Sequence, residues 1–183
     1  IQKQTIDRKM DSRDEAANDM IWQFVMTKAI AIALNPITAA DIIAGAAIDL
    51  GMIIRLSKFY GIPMTRSGAM KLLQSIAMGM GGLTISELAA NLGLSGIKSL
   101  FAILAPATGG VSIAPYTAVA LTQASIAGVS TYAIGQITKT YLAKGASWGD
   151  DSPKSVITRI LATIDEHSIV DRIKQELGTK GNS

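Results

Sequence analysis

Residues 38–63, TAADIIAGAAIDLGMIIRLSKFYGIP, hold one helix with both of its ends marked. Thr38 and Asp41 stand at capping-box spacing, where a hydroxyl and an acid three residues apart satisfy amides that the first turn leaves open. From there to Tyr60 the chain is mostly Ala, Ile, Leu and Met, without a proline. Gly61 supplies a left-handed cap, and Pro63 prevents the helix from continuing. Apolar and polar residues do not alternate with the period of two that a strand needs.

The same punctuation recurs on both sides. Upstream, Ser12 and Glu15 have capping-box form, and Ile21, Phe24, Val25 and Met26 begin an apolar stripe running to Leu34. Asn35-Pro36 stops it, because the residue before proline is pushed out of the α region. Downstream, a third helix starts near Ser67 and ends in Gly79-Met80-Gly81-Gly82. Thr84 with Glu87 opens a short helix to Gly93, and Ser95 opens another that Pro106 halts. Residues 105–110, APATGG, form a turn. One long helix then spans Pro115 to Ala143 and is closed by Gly145.

Ser152-Pro153 places a cap before a proline at the first helical position. Val156, Ile157, Ile160, Leu161 and Ile164 give the apolar face of the helix that follows. Ser168 with Asp171 opens a last amphipathic helix with Ile169, Val170, Ile173 and Leu177 inward, and residues 179–183 read as a frayed tail. The fold class is all-α, an Ala/Gly-rich helical bundle with a central apolar helical hairpin. Residues 1–145 are its core, and the amphipathic helices of 146–183 pack on the same domain. There is neither an internal repeat of 20–50 residues nor a sustained heptad.

The composition of the 183 residues excludes more than it assigns. Charged side chains make up 17%, against roughly 25% in an average soluble domain. With a mean hydropathy of +0.33, an intrinsically disordered chain is excluded. No cysteine means no disulfide scaffold, thiolate zinc site, iron–sulfur cluster or cysteine nucleophile. A formal charge of +3, with no basic run interleaved with aromatics, is too little for a nucleic-acid partner. The charges are unevenly placed. Residues 1–28 carry ten, residues 29–138 only eight, and residues 139–183 thirteen.

Between Lys98 and Lys139 there is no charged side chain at all. About 20 apolar residues span a bilayer, but the Pro115–Ile137 helix contains Thr117, Thr122, Gln123, Ser125, Ser130, Thr131 and Gln136. A hairpin dipped into a bilayer, or laid on it, fits better than two crossings. Tyr116 near the start of that helix, and Tyr141 and Trp148 near its end, stand where an interfacial aromatic belt would be. Small residues form close-contact ridges at Ala120, Ala124 and Gly128, at Ala127, Thr131 and Gly135, and at Ala47 and Gly51. Asp41, Gly45 and Asp49 share a further ridge on an otherwise apolar helix. The stripe either lines a cavity or ion path, or consists of a dipole-complementing Asp41 and an Asp49 that faces water or pairs with Arg55 or another base.

No catalytic residue is assigned. Gly93-Leu94-Ser95-Gly96-Ile97-Lys98-Ser99 departs from the phosphate-loop pattern at Ile97 and follows no strand, so it reads as a helix start. Gly79-Met80-Gly81-Gly82 does not make a dinucleotide fingerprint. The single histidine, His167, sits in a solvated segment, which removes a His-based metal centre or triad. Cofactor-binding and metal-binding residues are likewise none.

Residues 33–41, ALNPITAAD, then 56–61, LSKFYG, then 131–135, TYAIG, with Tyr141, resemble a bacterial family known as the domain of unknown function 697. The resemblance covers residues 20–145. That family occurs C-terminal to Era-like GTPase domains and in inner-membrane proteins, and it has no established activity to carry onto positions here. The resemblance implies a GTPase in the parent protein, although this segment lacks every nucleotide motif.

Three readings follow. The leading one is a non-catalytic, membrane-associating helical module at the cytoplasmic face of the inner membrane. It would bind lipids, be regulated by a GTPase domain of the same chain or a partner, and allow a homo-oligomer. The alternative is a soluble, cytoplasmic all-α interaction or dimerisation domain. A pore-forming domain using Asp41 and Asp49 is the third.

Overall fold

The computed structural model describes residues 2–34, 39–80 and 118–181. Among them are six helices and no strand: α1 (Gln2–Leu34), α2 (Ala39–Phe59), α3 (Arg66–Gly79), α4 (Ala118–Ala143), α5 (Pro153–Ala162) and α6 (Glu166–Gly181). The all-α class stands. The short helices expected over 84–106 and the turn at 105–110 lie outside the described residues.

The helix ends follow local chemistry. At the end of α2, Gly61 has φ +72°. Its amide reaches the Lys58 carbonyl at 3.0 Å, and the Ile62 amide reaches Ser57 at 2.9 Å. These two bonds make the Schellman closure that a left-handed glycine permits. Gly145 closes α4 with φ +73° and an amide bond of 2.9 Å to Leu142. Ser152 caps α5 by accepting from the Ser155 amide, with Pro153 in the first turn. Thr65 caps α3 in the same way through Gly68.

Three boundaries differ from the sequence reading. Ser12 lies inside α1 and is not its cap, because a cap needs a residue outside the helix and residues 2–34 contain neither glycine nor proline to end one. The cap of the last helix is Asp165 rather than Ser168. Its Oδ1 accepts from the Ser168 amide at 3.2 Å, and its Oδ2 from the Ser168 hydroxyl at 2.8 Å. The expected tail from Thr179 is helical as far as Gly181, since nothing before it breaks the ladder.

Contacts between helices fix their directions. Asp14 meets Lys139, Asn18 meets Gln136, Ile21 faces Gly135 and Val25 faces Gly128, so α1 and α4 are antiparallel. Tyr60 meets Arg13, Gly51 faces Phe24 and Gly45 faces Lys28, so α2 is also antiparallel to α1. The core fills the space between these three helices with Ile21, Val25, Met52, Ile53, Leu56, Val129 and Ile137. Each such side chain stabilises the fold by about 1.5–3 kcal/mol through apolar burial. α3 packs on α2, α5 closes against Gly79 through Ile157, and α6 lies along α4 with Ile173 over Gly128. Residues 3–16 of α1 are exposed, so this end of the helix runs clear of the bundle.

Candidate functional site

At the centre of the three-helix core lies a charge pair. The Lys28 Nζ of α1 is 2.6 Å from the Asp49 Oδ2 of α2, and the two side chains are 2% and 1% exposed. Thr131 of α4 donates its hydroxyl to the other carboxylate oxygen, Oδ1, at 2.7 Å. One residue from each helix thus meets at a single point. Gly45, one turn before Asp49, makes room for the lysine stem. A Cβ there would stand 3.1 Å from Lys28 Cε.

A lone charge at this depth would be several kcal/mol unfavourable, whereas a paired and hydrogen-bonded one is close to neutral overall. The cluster therefore specifies which helix faces meet more than it adds net stability. Elsewhere on α4, Ser130 Oγ, Thr138 Oγ1 and Gln123 Oε1 are buried without a hydrogen-bond partner among the described residues.

A second polar layer ties the outer helices to the core. The Trp22 indole donates to Glu176 at 2.7 Å, and the Arg172 guanidinium lies 3.8 Å from the centroid of the same ring. Lys139 bonds Asp14 at 2.6 Å and Asn18 at 3.0 Å. Near the exposed end of α1, Arg13 donates to the Tyr60 carbonyl and lies over its ring. Burial, with the negative charge of Asp14, raises the Tyr60 hydroxyl above its ordinary pKa against the opposing effect of Arg13.

The site residues named from sequence fall in different places. Asp49 is in the cluster, with Lys28 as its base rather than Arg55, which is exposed. Asp41 is in α2 and Ala120 in α4, but their side chains lie outside the described residues, as does Tyr116 entirely. Ala124 is fully buried. Gly128 and Gly135 are points of close approach: a methyl on Gly128 would run into Ile173, and one on Gly135 would lie 2.6 Å from Ile21 Cγ2. Tyr141 and Trp148 pack on each other with centroids 4.8 Å apart, half-buried against the core.

Lys28 and Thr131 were missed as partners of Asp49. The signal for Lys28 was its position, seven residues after Ile21 and three after Val25 on the apolar stripe. Among the described residues no group of three or more acidic or histidine side chains could hold a metal ion. No helix there is long and apolar enough to cross a membrane.

The family model described as Domain of unknown function (DUF697) matches residues 1–166. The chain belongs to the DUF697 family. The match extends on both sides of the residues that carried the resemblance. This DUF697 chain is 31% identical over 85 residues to a UPF0283 membrane protein of Vibrio parahaemolyticus, with 46% of the chain and 25% of that protein covered. It is 32% identical over 80 residues to another UPF0283 membrane protein, from Vibrio campbellii, covering 44% and 23%. It is 33% identical over 128 residues to magnetosome membrane protein 22 of Magnetospirillum gryphiswaldense, covering 68% and 56%. The chain thus spans about a quarter of the length of the Vibrio proteins and about half that of the magnetosome protein. No solved structure matches it.

Proposed function

We propose that this DUF697 domain is a non-catalytic, membrane-associating helical module. The observation that carries the reading is the uncharged run of sequence from Ser99 to Thr138, in a chain whose relatives are named membrane proteins. Within that run, α4 turns Ser125, Thr131 and Thr138 into the bundle and packs against α1. The apolar sequence of residues 99–117 is then what remains to meet lipid. The bundle supplies a rigid base for it. The module acts at the cytoplasmic face of the inner membrane and is positioned by a GTPase domain of the same chain or of a partner, with room for a homo-oligomer.

Co-flotation of the purified domain with neutral and with anionic liposomes tests the first part. Flotation that survives high salt is expected. Protein that stays with the dense fraction on both lipids overturns it. Fractionation of the longer parent protein in its two nucleotide states tests the GTPase part, which fails if the distribution is the same in both.

One observation favours a soluble interaction domain instead. The core closes on itself around Lys28 and Asp49, as in a bundle that needs no lipid. A monodisperse, detergent-free preparation that ignores liposomes supports that reading. Both oxygens of Asp49 are engaged by Lys28 and Thr131, which favours a packing role for it over an ion path.

A further inference from the structure

Charge on the exposed end of α1 is sorted by face. Residues 3–16 hold four basic side chains, Lys3, Arg8, Lys9 and Arg13, and four acidic ones, Asp7, Asp11, Asp14 and Glu15. At 3.6 residues per turn, Arg8, Lys9 and Arg13 come round to one side with Thr5 and Ser12, while the four acids centre on nearly the opposite side. The basic side and Phe59 at the end of α2 line an open surface cleft of about 460 Å³, and no carboxylate lines it.

Lys9 and Arg13 lack the usual helical neutralisation, whereas Arg8 has Asp11 three residues on. A carboxylate three or four residues away normally answers a surface lysine or arginine. Around Lys9 those positions are Thr5, Ile6, Ser12 and Arg13, and around Arg13 they are Lys9, Met10, Ala16 and Ala17. None of the three is in an ion pair among the described residues. Lys9 and Arg13 instead stack like charges one turn apart, an arrangement that an anion in the cleft relieves. Arg13 is held in place, with Nη2 3.3 Å from the Tyr60 carbonyl and its guanidinium 4.4 Å from the centroid of that ring.

We infer that this cleft binds the phosphate group of a soluble phosphate ester. Arg8, Lys9 and Arg13 donate charge-assisted hydrogen bonds to the phosphate oxygens, Ser12 adds its hydroxyl, and Phe59 packs against the organic part. The choice of a soluble source, unlike the site itself, rests on the proposed membrane reading. Lys9 stands 25 residues before Leu34, about 37 Å along the helix. The end at which α1 stops is also the end at which α4 begins. On the proposed membrane reading, in which the bilayer meets that end of the bundle, the cleft faces solution.

The test is calorimetric titration of the whole chain with pyrophosphate at low salt. Saturable binding to one site is expected. Arg8→Gln and Lys9→Gln each weaken it by roughly five- to tenfold, the worth of one exposed charge-assisted contact. Both residues are exposed and glutamine is a good helix former, so folding is kept. Asp7→Asn, on the opposite side of α1, leaves the affinity within about twofold. Absence of saturable binding overturns the site. An Asp7→Asn effect as large as that of Arg8→Gln also overturns it, by showing a general field rather than a cleft. In a parallel arm, the variants are floated on phosphatidylglycerol vesicles. Unchanged flotation of Arg8→Gln supports the soluble source, and loss of flotation reassigns the cleft to headgroups. If the parent chain itself does not float, the membrane reading fails while the titration still decides the site.

Discussion

Lys28 occupies a place that the apolar stripe of α1 reserves for the core, and its ammonium group is accepted there only because Asp49 and Thr131 arrive from two other helices. Removing one partner leaves the other charged and buried. Lys28→Met is therefore expected to destabilise the domain by about 3–5 kcal/mol in urea unfolding. Adding Asp49→Leu is expected to recover most of that loss, and a double variant no better than the single would contradict this account of the pair. At Gly135 the limit is space. Gly135→Ala places a methyl group 2.6 Å from Ile21 Cγ2, and is expected to lose about 1–3 kcal/mol, read as a lower melting temperature. In an Ile21→Ala background, which lacks both γ carbons that the methyl meets, the added cost of Gly135→Ala should shrink. The spacing of Gly128 and Gly135 on their ridges was legible without coordinates. What they approach was not, because a small-residue ridge says only that something comes close.

Whole helices were readable wherever their ends carry a residue with a single local use. Gly61 before Ile62-Pro63 and Ser152 before Pro153 marked true ends. Ser12-Glu15 had the right spacing but no break before it, so α1 runs straight through. Ser152→Ala is expected to weaken α5 by about 1 kcal/mol, seen as faster amide exchange in residues 153–157. At the start of α6, the Ser168 side chain and backbone amide both bond the Asp165 carboxylate and hold its pKa below the ordinary carboxylate value. A group lowered in the folded state contributes stability that is complete above the unfolded value and is lost as pH falls through the folded one. The first turn of α6 should thus loosen on acidification below about pH 4. The Ser168 amide shift followed by NMR reports it. Asp165→Asn keeps a cap that does not titrate, so a pH response persisting in that variant would point to another group.

For the molecule as a whole, the division between bundle and overhang makes a simple prediction. Residues 3–16 are exposed, and the contacts that tie this end to the bundle start at Arg13 and Asp14. Deleting residues 1–11 is expected to move the melting temperature by less than about 2–4 °C, the equivalent of roughly 1 kcal/mol in a chain of this size. A larger fall would show that the overhang packs on the core. The same deletion removes Thr5, Arg8 and Lys9 from the cleft, so on the two proposed readings pyrophosphate binding should vanish while liposome flotation persists.

By itself the sequence determined the all-α class, most helix ends, the absence of cysteine, and the family. These follow from local composition, caps and breakers, whose effects extend over only a few residues. The tertiary structure decided that Lys28 answers Asp49 across 21 residues and that Thr131 joins them across 82. It also decided that Phe59 completes a cleft begun on α1. Such pairings depend on the rotation and height of one helix against another. Those are set by the summed packing of whole faces, which no local spacing contains.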